Sequence, residues 1–213
     1  MNEKPILFNA EMVNAILSGR KTQTRRIISE KTLHLFDVAA SAGECHPLEL
    51  CDERSQSYYL EFCPLGKPGD QLWVREEWQV IHDYVDEHGN VDERRFARSI
   101  PKQRGNYWHP VYAASWGDES REDRGFPWRP SLHMPRWASR INLLITGVRV
   151  ERLSTISTGD AMAEGYPAER EATGGSLDSW LWFRELWDGI YPDNTFEVNP
   201  WCWVIEFERM EAK

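Results

Sequence analysis

The chain has 213 residues, 41% of them hydrophobic, which is enough for one domain with insertions and a substantial core. Its formal net charge of -9 argues against a protein that binds polyanions over its whole surface. The charge is uneven, however. Residues 94–152 hold twelve Lys or Arg against five Asp or Glu, and residues 1–26 are also basic, so we predict a local anion-binding face.

Other function classes are constrained by apolar runs and cysteines. No run reaches the ~20 apolar residues of a membrane-spanning helix, and the first residues lack the apolar core of a signal peptide. The four cysteines show no CxxC spacing, and a zinc site drawn from Cys45, His46, Cys51 and Cys63 would match no standard pattern. We therefore expect a cytoplasmic protein with reduced thiols, no membrane association, no metal and no cofactor. The sequence leaves the oligomeric state open.

The first predicted elements surround a cluster of cations. Residues 5–8 predict a strand, and Asn9 is placed to cap a helix that reaches Ser18. Gly19 ends this helix, because glycine enters the left-handed C′ conformation without a steric penalty. The hydroxyl and β-branched residues of 22–28 favour a strand. Four cations and two hydroxyls thus fall at a helix-to-strand junction over residues 19–26, where charge runs are either solvated surface or an anion site.

The middle of the chain is less regular. Residues 29–66 are acidic and predicted to be irregular, apart from a strand at 58–62. A turn at 67–70 precedes a half-buried strand that begins near Leu72. Residues 80–130 are charged and then rich in glycine and proline, which indicates a loop-rich insertion with one strand at 107–114.

The last third carries the strongest strand patterns. Residues 141–146 and 148–153 predict strands separated by Gly147, which marks a bulge or a barrel corner. Ser157 and Asp160 form a capping-box pattern for a short helix that ends at Gly165. Ser176 is placed to cap another helix, and residues 201–208 alternate as a closing strand. This mixture predicts an α+β fold: a small mixed β-barrel with two or three short helices on its rim.

The cation cluster and three other segments resemble one known family. Residues 19–26 resemble the signature of the ASCH family, a branch of the PUA-like superfamily associated with RNA. The segments Pro68–Val74, Asp160–Gly165 and Trp203–Phe207 resemble further elements of that family in the same order. The likeness is greatest to the larger, tryptophan-rich ASCH-like proteins of bacteriophages and prophages. It implies one PUA-like domain over 1–213 with an insertion at about 80–130.

This resemblance implies binding of RNA or of a modified nucleoside. We expect a cleft bounded by residues 19–26, 157–165 and 133–140, in which arginines hold phosphate and indoles stack on bases. Trp108, Trp116 and Trp128 are predicted to be exposed, whereas Trp73, Trp201 and Trp203 are predicted to pack in the core. The binding residues predicted from the sequence are Arg20, Thr22, Arg25, Arg26, Arg136, Trp137 and Arg140.

Hydrolysis is the alternative. Some small ASCH proteins are amidohydrolases acting on N4-acetylcytidine with a Lys, a Thr and a Glu, and these correspond to Lys21, Thr24 and Glu164 here. Glu164 lies in the last turn of its helix, where the dipole disfavours a carboxylate, so we expect a cation such as Lys21 beside it. Residues 21 and 24 point to opposite faces of a regular strand, so this mechanism requires a turn or bulge near Lys21.

A further alternative is a phage assembly or host-interaction protein. It is suggested by the eleven tryptophans, more than a core of this size needs.

Overall fold

The computed structural model describes residues 2–82, 88, 96–105, 108–117 and 119–211. Within these ranges there are seven strands: Glu3–Leu7 (β1), Gln23–Ile27 (β2), Gln71–Arg75 (β3), Trp78–His82 (β4), Trp108–Tyr112 (β5), Asn142–Arg152 (β6) and Trp201–Arg209 (β7). The described residues also form eight α-helices: Ala10–Leu17 (α1), Glu30–Ser41 (α2), Glu53–Leu60 (α3), Ala113–Trp116 (α4), Arg121–Arg124 (α5), Thr158–Ala163 (α6), Ala168–Glu171 (α7) and Asp178–Ile190 (α8).

Five strands form one sheet in the order β1-β3-β6-β7-β2, and β4 pairs with β5 in a separate two-stranded sheet. The α+β class predicted from the sequence is confirmed. Closure into a barrel is not seen among the described strands and stays a prediction. No helix within the described ranges is long and apolar enough to cross a membrane.

The residues divide into two compact units. The first contains residues 2–4, 15–72 and 143–210, and the second contains 5–14 and 73–142 together with residue 211. The predicted insertion at 80–130 belongs to the second unit, and part of its charged stretch lies outside the described residues. That the whole chain is one domain stays a prediction.

In the first unit, the strand register separates the sheet into two faces. Arg25 pairs with Val204, which pairs with Arg149, so these three side chains point to the same side. We call this side the α6 face. The neighbouring rows of paired residues add five more side chains to it: Gln23, Ile27, Glu151, Cys202 and Glu206. The apolar part of the face packs against residues of α6 and α8, including Ala161, Phe183 and Trp187.

The opposite face of the same sheet is mostly apolar. Thr24 pairs with Ile205, which pairs with Val148, and the next row contains Arg26, Trp203 and Val150. Helices α2 and α3 cover this side. The ring of Phe36 lies 6.2 Å from that of Trp203, and Gln56 accepts a hydrogen bond from the backbone of Val150 at 3.1 Å.

The second unit is built around the β4–β5 pair. Its core contains Trp78, Val80, Ala97, Met134 and Ala138. Short 3-10 turns at Ser131–His133 and Arg136–Ala138 follow prolines, whose fixed φ favours a turn and whose missing N–H prevents a regular ladder.

Several predicted elements are confirmed. Asn9 caps α1 by accepting from the backbone N of Met12 at 2.8 Å. β6 and β7 shift register between Ile145 and Gly147, so Gly147 marks a bulge. Both halves of the capping box between Ser157 and Asp160 are formed at the start of α6.

Other predictions are wrong. The acidic stretch 29–66 contains two helices, α2 and α3, and the strand predicted at 58–62 is the end of α3. The described residues therefore form more than two or three helices. Each of these two helices buries only two side chains, so its apolar stripe is too narrow to stand out in the sequence. The cap of α8 is Leu177 instead of Ser176.

Candidate functional site

A buried ion pair joins the ends of two short segments in the first unit. The Nζ atom of Lys21 donates to Oε2 of Glu164 at 2.7 Å and to the backbone oxygen of the same residue at 2.8 Å. The two side chains are 0% and 4% exposed. The contact predicted between Lys21 and Glu164 is therefore confirmed, and it lies inside the protein.

Local backbone geometry brings the pair together. Gly19, with φ of 79°, turns the chain after α1, and the backbone N of Lys21 then donates to Ala15 O at 3.0 Å. Gly165 leaves α6 with φ of 106°, and a Cβ atom there would lie 2.9 Å from Cβ of Ala15 and 3.2 Å from Cβ of Lys21. Only glycine allows the two segments to approach this closely.

Arg25 extends the pair into a network. Its Nη1 atom lies 3.3 Å from Oε1 of Glu164, and its Nη2 atom lies 3.2 Å from Glu151 and 3.5 Å from Asp160. The side chain of Arg25 is fully buried. A buried guanidinium requires such partners, because an unpaired charge inside a protein is strongly disfavoured.

Arg149 continues the network on the α6 face. It donates to Glu151 at 2.6 Å, to Asp160 at 3.0 Å and also to Glu206. Sequence reasoning missed Arg149, Glu151 and Glu206 as parts of the site. The sequence pattern of β6 could have identified two of them, because Arg149 and Glu151 alternate with its buried apolar residues and therefore point to one face.

The environment shifts the pKa values of several of these groups. Burial lowers the pKa of Lys21 below the ordinary lysine value, and the Glu164 carboxylate opposes this change. Burial tends to raise the pKa of Asp160, but hydrogen bonds from Ser157 and the charges of Arg25 and Arg149 hold it below its usual range. Burial raises the pKa of Cys202, on the same face, to about 12.

A cavity of about 300 Å³ opens beside the network. Its lining residues include Thr22, Gln23, Ala163, Glu206, Phe207 and Glu208. Gln23 is 3% exposed, and its Oε1 accepts from Arg149 at 3.4 Å. Its Nε2 atom is buried and has no hydrogen-bond partner among the described residues. A buried amide with a spare donor is unusual and indicates a position for a ligand or water.

Two of the predicted phosphate-binding cations of the 19–26 segment face inward. Lys21 and Arg25 are buried against carboxylates, and Arg20 donates to the backbone oxygens of Gly165 and Tyr166 at 3.3 and 3.0 Å. Thr22 is exposed and lines the cavity, whereas Arg26 is half-buried. Two of the four cations in this run, Lys21 and Arg25, thus neutralise acids of the protein itself.

Thr24 occupies the opposite side of β2. Strand alternation places it in the row of Ile205 and Val148, whereas Arg25, which contacts Glu164, lies on the α6 face. The β2–β7 register is continuous from Gln23 to Ile27, so no bulge in this strand redirects Thr24. This arrangement does not favour Lys21 and Thr24 as a base and its nucleophile.

Arg136, Trp137 and Arg140 belong to the second unit. Trp137 and Arg140 line a cavity of about 630 Å³, together with residues that include Arg104, Tyr112, Ser139 and Asn142. Arg136 donates to Oδ1 of Asn142 at 2.8 Å. These three predicted residues are thus grouped around a second cavity.

The tryptophans fall into two groups. Trp73, Trp201 and Trp203 are buried, as predicted. The three tryptophans predicted to be exposed are half-buried. Trp116 and Trp128 pack edge-on against Phe126, and Trp108 packs against His82.

Comparisons with known proteins give one structural likeness. No protein-family model matches the chain, and no curated protein matches it either. A solved structure, the high-resolution crystal structure of an ASCH domain from Lactobacillus crispatus, superimposes with a TM-score of 0.40 and 11% sequence identity. The match covers 98% of this chain and 79% of that chain. A likeness at this level is too low to transfer function, so the function is inferred from the residues of this chain.

Proposed function

We propose that this chain is an ASCH-like protein that binds RNA or a modified nucleoside by accepting one nucleobase in the 300 Å³ cavity. The observation that carries the proposal is Gln23, a residue of the cavity wall whose Nε2 donor is buried and has no hydrogen-bond partner among the described residues. Such a donor costs stability unless something accepts its hydrogen bond, and a ligand atom in the cavity would do so.

The polar groups of the wall suit the edge of a base. Gln23 supplies a donor, and Glu206, its pair across β2 and β7, supplies a carboxylate acceptor next to it. A donor beside an acceptor complements an edge such as that of cytosine, where the N4 amino group donates and the ring nitrogen N3 accepts. An N4-acylated cytidine keeps one N4 hydrogen and therefore remains compatible with this arrangement.

The charges of the wall favour a neutral ligand over phosphate. Glu206 and Glu208 line the cavity, while Lys21 and Arg25 are buried against other carboxylates. A phosphate placed there would be repelled mainly by Glu208, because Arg149 compensates the charge of Glu206. We therefore expect the base to enter the cavity with its sugar and any phosphates outside, and the affinity for a free nucleoside to depend little on salt.

A nucleoside panel that includes N4-acetylcytidine tests this proposal by calorimetric titration of the full chain. Gln23→Met keeps the length of the side chain but removes the donor, and we expect about tenfold weaker binding. Gln56→Met, an equivalent change on the opposite face of the sheet, should bind as the wild type does. The proposal is wrong if no nucleoside binds, or if the Gln23 variant binds as well as the wild type.

Hydrolysis of an N4-acylated cytidine is the second candidate. It is favoured by the contact between Lys21 and Glu164 and by burial, which lowers the pKa of Lys21 towards the range of a general base. Hydrolysis is the weaker of the two proposals, because the strand register places Thr24 on the face opposite Arg25, which contacts Glu164. Release of cytidine and acetate from N4-acetylcytidine, lost in Thr24→Val, would establish it. Binding of N4-acetylcytidine without formation of product would contradict hydrolysis and support only the binding proposal.

A further inference from the structure

The second unit contains a cavity that is independent of the first. It has a volume of about 630 Å³, within the range of about 300–1,000 Å³ typical of sites for small organic ligands. All of its lining residues lie between 104 and 142, in the basic stretch of the sequence. It therefore forms entirely within one unit.

The wall of this cavity offers mainly hydrogen-bond donors. Its polar residues include Arg104, Arg140 and Asn142. The acceptor of Asn142, Oδ1, already binds Arg136 at 2.8 Å, which leaves the Nδ2 donors of the amide. The donors that remain favour an anion.

A buried carboxylate fixes one of these donors. Glu76, 1% exposed, accepts from Nε and Nη2 of Arg140, both at 2.9 Å. This bidentate contact holds the guanidinium flat and cancels its formal charge. The exposed Arg104 therefore supplies the net positive charge of the cavity. Nη1 of Arg140 also donates to Oγ of Ser115 at 2.7 Å, so one hydrogen on each Nη atom remains as an oriented donor.

Two aromatic side chains, Trp137 and Tyr112, also line the cavity, and both are held in place. The indole nitrogen of Trp137 donates to Pro101 O at 3.1 Å, and its ring packs edge-on against Trp78. The hydroxyl of Tyr112 donates to Ala138 O at 2.7 Å, and the Arg140 guanidinium lies 4.0 Å from its ring centre. A rigid aromatic wall stacks a planar ring with little loss of side-chain entropy.

We infer that this cavity binds an anionic nucleotide, with the base against Trp137 and the phosphate towards Arg104 and Arg140. The volume leaves room for a base, a sugar and a phosphate together. The ligand is a phosphomonoester carried next to a base, supplied either by a free nucleoside 5′-monophosphate or by the 5′-phosphorylated end of an RNA strand. This site does not depend on the first cavity or on its proposed function.

Tryptophan fluorescence and calorimetric titration of the full chain test the inference. The probes are the four nucleoside 5′-monophosphates, the matching nucleosides, inorganic phosphate, and a short RNA with either a 5′-phosphate or a 5′-hydroxyl. We expect a monophosphate to bind at least about tenfold more tightly than its nucleoside. A preference for 5′-phosphorylated RNA over the free monophosphate would identify the strand end as the source. The reverse preference would identify the free nucleotide.

Arg104→Gln provides the sharpest variant, because this exposed side chain can change without disturbing the core. We expect it to weaken monophosphate binding about tenfold. Lys102→Gln removes an equal charge from an exposed residue outside the cavity wall and should change the affinity less than about twofold. The same titrations in a Gln23→Met background reduce the contribution of the first cavity, and the difference between the Arg104 and Lys102 variants should persist there. Equal affinity for nucleoside and monophosphate, or equal effects of the Arg104 and Lys102 variants, would overturn the inference.

Discussion

The ammonium nitrogen of Lys21 lies 2.7 Å from Oε2 of Glu164, although 143 positions separate the two residues in the chain. Both side chains are buried, and Arg25 binds the other oxygen of the same carboxylate at 3.3 Å. The segment after α1 and the end of α6 are thereby joined by charge inside the protein. The chain neighbours of this pair, Thr22 and Ala163, line the proposed base-binding cavity and are joined by a backbone hydrogen bond of 2.9 Å.

Removing the ammonium should destabilise the fold. Lys21→Met leaves the buried Glu164 carboxylate with Arg25 alone, and we expect the free energy of unfolding to fall by about 3 kcal/mol. Urea denaturation measures this change. Lys67→Met, which removes the exposed partner of Glu61 at 3.8 Å, is the control and should have little effect. A small effect at Lys21 would show that the pair does not hold the two segments together. Activity assays of Lys21 variants therefore require a parallel test of folding.

The close approach at Gly165 gives a second prediction. Gly165→Ala combines a left-handed backbone with a 2.9 Å contact to Cβ of Ala15, so we expect a loss of about 3 kcal/mol. Gly19→Ala has the same type of backbone but open space around the added methyl group, and should cost only about 1 kcal/mol. Thermal and urea unfolding compare the two variants. Equal losses would mean that the contact with Ala15 is unimportant.

The acid dependence of stability should reveal the role of Arg149. Arg149→Met leaves Glu151, Asp160 and Glu206 with one cation fewer, and we expect a loss of about 2 kcal/mol at neutral pH. The pKa of Asp160 is lowered in the folded protein, so its stabilising contribution is present above the ordinary aspartate pKa and disappears as the pH falls through the lowered value. The difference between variant and wild type should therefore shrink below about pH 4. The exposed Arg184→Met should show no such pH-dependent difference.

The buried thiol of Cys202 predicts that the folded protein loses stability at alkaline pH. Its pKa is raised to about 12 in the folded protein, so the folded state holds a proton that the unfolded state releases at lower pH. Its contribution is complete below the unfolded thiol pKa of about 8.5 and is lost as the pH rises, by about 3 kcal/mol near pH 10.5. Cys202→Ala should reduce this slope, whereas Cys51→Ala should not, because Cys51 is exposed.

Thiol labelling gives an independent measurement of the same property. In the folded protein at about pH 8, a thiol reagent should modify Cys51 and leave Cys63 and Cys202 unmodified until the chain is unfolded. Rapid labelling of Cys202 in the folded protein would contradict its burial on the α6 face.

Local patterns in the sequence determined the elements that depend on near neighbours. The Asn9 cap, the capping box of Ser157 and Asp160, and the bulge at Gly147 each follow from residues a few positions apart, and each was predicted. The unfavourable helix dipole at the end of α6 also predicted a cation beside Glu164, and Lys21 occupies that place. Helices α2 and α3 were missed because they bury few side chains, so their sequences lack a clear apolar period.

The α+β composition, the positions of the strongest strands and the chemical types gathered in residues 19–26 could all be predicted from the order of residues. The direction in which those residues point became known from the fold. Strand register turned Arg25 inward and placed Thr24 on the other face, and the pairing of β2 with β7 set Gln23 beside Glu206. The physical reason is that burial and charge compensation depend on partners more than a hundred positions away, and no local pattern encodes them.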